Sequence, residues 1–256
     1  MKRSSGVRLC ATAAVSALSL ALVTGCGDEG SKGSANGSDK DAAKALSAAQ
    51  LGKLIIAQGD VPGHKVGAVE GGVPDKSKVT SDDAKCEPVL RAFTGIAPGD
   101  PAAHTSKMAT ENKKTPTAAP SPGDGKFEDA ISESMNLDVT VVTLASYDGD
   151  GAEQGLKAVS DAVKACAGGF SGAQDGEKGK FTKVAEEKSS GTGDASVAFT
   201  ATNDAGKDGA LPLHAEVVRH GNNLAVYTTI NIGAMMTKKA YTVSAPVVKA
   251  QAAKLK

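Results

Sequence analysis

Leu211-Pro212-Leu213-His214-Ala215-Glu216-Val217-Val218-Arg219-His220-Gly221-Asn222-Asn223-Leu224-Ala225-Val226-Tyr227-Thr228-Thr229-Ile230-Asn231-Ile232 is the stretch that decides the fold. Two β-rich runs, 211–220 and 224–232, flank Gly221-Asn222-Asn223. Gly and Asn accept the positive φ that a tight turn between antiparallel strands requires, so the stretch predicts a hairpin. In its second arm Leu224, Val226, Thr228 and Ile230 fall on one face. Ala225, Tyr227, Thr229 and Asn231 fall on the other. His214 and His220 share a face with Glu216 between them, which reads as an exposed polar surface. The two histidines are about 20 Å apart along a strand, too far to share a metal ion.

Upstream, residues 181–189 and 195–202 predict two more strands around Ser190-Gly191-Thr192-Gly193. Residues 137–147 form another, with Leu137, Val139 and Val141 in alternation before Val142 and Leu144 change the parity. Either both faces of that strand are buried or a bulge shifts its phase. Asp150 and Glu153 then fit a helix start, and Leu156, Val159, Val163 and Cys166 follow on one helical face. An earlier helix begins at the capping box Ser47-Ala48-Ala49-Gln50 and carries Leu51, Leu54 and Ile55 before Gly59 and Pro62 stop it. Residues 64–69 fit a short strand. Residues 82–95 hold a second helix with Pro88 in its first turn and Cys86, Val89, Leu90 and Phe93 on one face. Ser244, Pro246, Val248, Ala252 and Leu255 mark a terminal helix. The expected architecture is α+β: a mostly antiparallel β-sheet with helices packed on one face and one disulfide.

Residues 96–126 interrupt this pattern. Five of the ten prolines lie between Pro98 and Pro122, among Thr, Ala, Ser, Gly and Lys, with no periodicity. The segment reads as a mobile Pro/Ala/Thr-rich insert, either a plain loop or a lid.

The N-terminus carries an address. Lys2, Arg3 and Arg8 precede an apolar run from Leu9 to Val23, the layout of a secretory signal peptide. About 15 apolar residues are too few to span a bilayer, which takes roughly 20. The run ends at Val23-Thr24-Gly25-Cys26, which closely resembles a bacterial lipobox. That resemblance implies cleavage before Cys26 and a diacylglycerol on its thiol. Residues 1–25 are then a lipoprotein signal peptide and 26–44 a Gly/Ser/Asp/Lys tether. Residues 45–256 form a single domain on the outer face of the cell membrane.

Composition removes several functions. The signal peptide holds three of 29 basic residues and no acidic ones, leaving 26 against 29, a net charge of −3. That balance offers no basic face for nucleic acid. Aromatics are 3% and Trp is absent, so base-stacking platforms are poorly supplied. With Cys10 discarded and Cys26 lipidated, Cys86 and Cys166 remain in an oxidising compartment. A disulfide between them is the economical reading, and two isolated cysteines make a poor metal site. Gly149-Asp150-Gly151-Ala152-Glu153-Gln154-Gly155 has the wrong spacing for a dinucleotide loop, and its acids would repel a pyrophosphate. Asp148 and Asp150 lack the ladder of a calcium loop. No serine sits in a G-x-S-x-G setting. No cofactor, metal or catalytic residue is expected.

The order of parts resembles a broad group of actinobacterial lipoproteins. It comprises the lipobox, the tether, the early helix into Gly59-Asp60-Val61-Pro62-Gly63, the Cys86 helix, the helix ending at Cys166, the hairpin and the terminal helix. It also resembles the sensor ectodomain of a mycobacterial membrane Ser/Thr kinase. The resemblance spans roughly residues 45–256 and implies an α+β cleft domain that takes a ligand. The kinase ectodomain carries two disulfides where this chain has cysteines for one, so no site residue is carried over. The expected function is a membrane-anchored, non-enzymatic binding or sensor-like module, its partner an envelope protein or small molecule. A carrier of a hydrophobic molecule and an envelope hydrolase are the alternatives.

Overall fold

The computed structural model describes residues 44–112, 134–206 and 209–256. Nine strands form one open antiparallel sheet in the order β1-β3-β4-β9-β8-β7-β6-β5-β2. They are β1 His64–Gly67, β2 Val79–Ser81, β3 Ala103–Glu111, β4 Val139–Ser146, β5 Phe170–Gln174, β6 Glu177–Glu187, β7 Ala195–Asp204, β8 Ala210–His220 and β9 Asn223–Ile230. The α-helices are α1 Ala48–Leu54, α2 Glu87–Phe93, α3 Gly151–Ala165, α4 Ile232–Thr237 and α5 Ala245–Lys254. The β8–β9 hairpin lies at the centre of the sheet, with His220 paired to Asn223. β4 pairs β3 and β9 without a register shift, so its change of parity means that both faces are covered.

One face packs against α2 and α3. Phe199, Ala215, Val217, Leu224, Val226 and Ala145 bury there against Val89, Phe93, Leu156, Val159 and Val163. Four phenylalanines dominate. Phe93 meets Phe199 edge-on at 4.9 Å, and Phe170 stacks on Phe181 at 4.7 Å. Such pairs add about 0.5–1.5 kcal/mol each beyond the area they bury. The Cys86–Cys166 disulfide joins the start of α2 to the end of α3 across a separation of 80 residues, with both cysteines buried.

The other face packs against α1 and α5. Leu51, Ile55, Val247 and Val248 cover Val142, Leu144, Val218, Ala225 and Tyr227. Ser47 and Gln50 form the complete predicted capping box. Gln251 of α5 is fully buried and closes the end of α1: its Oε1 accepts from the Ile56 amide at 2.9 Å and its Nε2 donates to the Leu54 carbonyl at 2.9 Å. Helices expected on one face therefore divide between two. The physical reason is in β4 and β9, which are apolar at both parities and leave no face suited to water.

Three further expectations change. Residues 103–111, read within the 96–126 loop, form β3, because Ala109 buries and its backbone pairs β4 along its whole length. The remainder of that insert from 113 onward lies outside the described residues. Asp150 makes no side-chain cap for α3; its carboxylate accepts from Gln154 Nε2 instead. Ser244 likewise precedes α5 without a side-chain cap. Gly169 is required where α3 turns into β5: its φ is +90°, and a Cβ there would stand 2.2 Å from the Phe181 carbonyl oxygen.

Candidate functional site

The polar residues of β8 are not exposed. His214 and Glu216 are 5% and 2% accessible. The end of β6 and the turn after it fold over them and supply their partners. Glu216 Oε1 accepts from the Ser190 amide and the Ser190 hydroxyl, both at 2.8 Å. His214 Nδ1 lies 2.9 Å from Glu187 Oε2, and the Tyr241 ring meets the imidazole edge-on at 4.4 Å. Tyr241 donates its hydroxyl hydrogen to the Pro212 carbonyl, and burial pushes its phenol up to about 12. Tyr227 pairs with Glu216 across the strands; burial first and the Glu216 charge second raise its phenol well above the ordinary value.

A serine, a histidine and two carboxylates in one cluster invite a hydrolase reading. The connections are wrong for it. Ser190 bonds to Glu216 and Thr192, not to a histidine. His214 Nε2, the nitrogen that would take a proton, is buried without a partner among the described residues, as is the Tyr227 hydroxyl. A nitrogen shut away from solvent cannot reach a substrate, so the cluster orders the β6–β7 turn rather than performing proton transfer.

Two open grooves lie on the α2/α3 side, each within the size range of small-ligand sites. The first has a volume of about 540 Å³ between residues 73–76, residues 95–101 and His104. Its floor is Val73, Pro74, Ile96, Ala97 and Pro101, and its rim is Asp75, Lys76 and Asp100. Lys76 Nζ bonds to both the Gly99 carbonyl and the Asp100 carboxylate, which holds Asp100 below the usual carboxylate range. Tyr147 anchors the wall by donating to the Pro98 carbonyl, and Thr143 does the same to Gly95. The second groove, about 630 Å³, runs between α2 and the β5–β6 hairpin over Leu90, Phe93, Phe181, Leu213 and Ile230. Neither groove stands out in sequence, because each is assembled from segments more than 80 residues apart or from backbone turns.

Of the residues singled out from sequence, Cys26 lies outside the described residues, and Cys86 and Cys166 are joined. His64 is buried with Nδ1 beside the Pro62 carbonyl. His104 is exposed at the first groove. His220 is half-buried, and desolvation lowers its pKa against the opposing pull of Asp194. Asp148 accepts from the Ala45 amide and so fixes the chain's entry to the domain. Among the described residues no three His, Cys, Asp or Glu gather to hold a metal ion. No helix among them is long and apolar enough to cross a membrane.

The class defined by this geometry is an α+β domain on an open antiparallel sheet, with surface grooves beside one face. The chain is similar to the extracellular domain of PknH from Mycobacterium tuberculosis. That similarity holds at 13% identity over 83% of this chain and 95% of that one, with a TM-score of 0.49. A putative uncharacterized protein from Mycobacterium smegmatis aligns at 15% identity over 81% of this chain and 94% of that one, with a TM-score of 0.30. No family model and no curated protein matches the chain.

Proposed function

We propose that the protein is a lipid-anchored, extracytoplasmic binding or sensor-like module without enzymatic activity. The observation that carries this reading is Val23-Thr24-Gly25-Cys26 directly after an apolar run. The tether at 26–44 then holds a disulfide-linked domain off the outer face of the cell membrane. Two acyl chains on Cys26 give stable anchoring, at about 0.8 kcal/mol per buried methylene. The sealed His214 nitrogen supports binding over catalysis, and the two grooves supply concave surface. The test is palmitate labelling of the full chain in its own host. Label in the membrane fraction that disappears in Cys26→Ser supports the reading; label retained in that variant, or none in either, defeats it.

The carrier alternative finds its support in the second groove, where Leu90, Phe93, Phe181, Leu213 and Ile230 contribute apolar lining beside the polar Gln174, Glu177, Lys178 and Asn203. Native mass spectrometry of protein extracted from membranes separates the two. A lipid lost on unfolding favours the carrier, and bare protein with only its anchor mass favours the binding module.

A further inference from the structure

Among the described residues, the β1 edge of the sheet covers only part of β3. β1 pairs only Met108 to Glu111 of β3, so Ala103 to Lys107 have no strand on their outer side among the described residues. The register says which groups are left over. Glu111 donates to Asp138 of the chain segment leading into β4, and Asn112 donates to Gly63 of the segment leading into β1. Alternation along β3 then turns the N–H and C=O of His104 and Ser106 outward, away from β4. These are four strong backbone groups at the two-residue spacing of a β-ladder, next to a groove lined by His104.

The geometry points to this edge as a docking site for an extended peptide segment of another protein, which adds a strand to β3 and sends one basic side chain into the first groove. The inference deepens the binding-module reading and rests on it. In an antiparallel pair, residues opposite one another share a face. The peptide residue bonded opposite His104 therefore puts its side chain beside His104 on the face that the groove occupies. The groove has an apolar floor for an aliphatic stem; on its rim Asp100 is paired with Lys76, and Asp75 accepts from the Ser77 amide and hydroxyl through Oδ1, which leaves one net negative charge there. That suits Lys or Arg, whose stem is apolar and whose tip is cationic. A second copy of this chain is the weaker occupant, because five paired residues fall far short of the surface that stable dimers bury. Backbone bonds supply the affinity and the groove supplies the selection, as in other strand-addition sites.

The experiment is a displayed library of random heptapeptides panned on the full-length chain in detergent, with the enriched peptides then synthesised and titrated by fluorescence anisotropy. We expect enrichment of Lys or Arg at one position, with tenfold or greater loss of affinity when that residue is changed to Glu. His104→Pro removes one outward N–H at an edge, where proline is tolerated, and should abolish binding. Asp100→Lys changes a fully exposed side chain and should reverse the preference from basic to acidic peptides. Peptides that bind His104→Pro as tightly as the parent, a folded Asp100→Lys with unaltered selectivity, or no enrichment at all would overturn the proposal. A concentration-dependent dimer lost in His104→Pro, without peptide enrichment, would overturn it in favour of the second copy. None of these outcomes alters the palmitate label, so failure here leaves the anchoring reading separately testable.

Discussion

The two faces of the sheet are built from different materials. The α2/α3 face is the more apolar: four phenylalanines, aliphatic side chains and a buried disulfide, with the buried hydroxyls of Thr143, Thr228 and Tyr147 each donating to a main-chain carbonyl. The α1/α5 face is apolar at its centre but carries His214, Glu216, Thr229 and Gln251 buried among its contacts. An apolar face gains stability roughly in proportion to the area it hides. A face with buried polar groups gains less but fixes position, because each group must find a stated partner or cost about 1–3 kcal/mol. The more apolar side therefore carries most of the burial, and the side with buried charged and amide groups sets where its outer segments sit.

Removing the disulfide tests the first half of that contrast most severely. Cys86→Ala with Cys166→Ala opens an 80-residue link. In the chain-entropy account this costs about 4.5 kcal/mol. Denaturant unfolding of the double variant should show that loss, and reduction of the parent protein should mimic it. Phe199→Ala comes next. Its ring is fully buried against Phe93, so about 3–5 kcal/mol should go with the ring and the cavity it leaves. A loss below about 1 kcal/mol would mean that this face collapses easily and is not the tightly packed one.

On the other face, Gln251→Leu keeps the bulk and deletes both amide bonds. The Ile56 N–H and Leu54 C=O are then buried without partners, which should cost about 2–4 kcal/mol. The comparison sharpens if the loss is local. Hydrogen exchange should quicken in α1 and α5 while α2 and α3 keep their protection. Uniform acceleration would show one cooperative unit and erase the distinction between faces.

Much of this division was legible in residues and some was not. The hairpin at Gly221-Asn222, the capping box at Ser47 and the helix ending at Cys166 are local signals, and each stands where sequence put it. β3 was hidden because Ala-His-Thr-Ser-Lys-Met-Ala-Thr-Glu has no apolar alternation; only Ala109 is buried, and pairing with β4 alone makes it a strand. The β5–β6 hairpin did carry a signal, Asp175-Gly176 with positive φ at both residues, in a stretch otherwise too polar to suggest strands. The burial of His214 and Glu216 could not be read at all. It depends on Glu187 and Ser190, 27 and 26 residues away, which arrive only when β6 and its turn are in place. The first groove is likewise a property of tertiary assembly, since backbone turns and a strand edge have no side-chain signature.

The smallest effect concerns the joint between α1 and α5 at its solvent-facing rim. Asp60 accepts from Lys254 Nζ at 2.7 Å and from the Ala57 amide at 2.8 Å. The Lys254 bond, then the backbone bond, hold its pKa below the ordinary 3.8. A carboxylate depressed in the folded state stabilises the protein above its unfolded value and loses that contribution as pH falls through the folded value. The Asp60 contribution should therefore be complete above about pH 5, decline from about pH 4 downward, and vanish at lower pH. Because the pair is partly exposed and screened, Asp60→Asn should cost only about 0.2–1 kcal/mol at pH 7. Added salt should shrink the difference further, since screening weakens exposed pairs. The Gln251→Leu loss should change little over the same pH and salt ranges, because no charge is involved. If both variants followed pH alike, the buried amide and the rim carboxylate would be one titrating network. The polar face would then be a responsive surface rather than a fixed one.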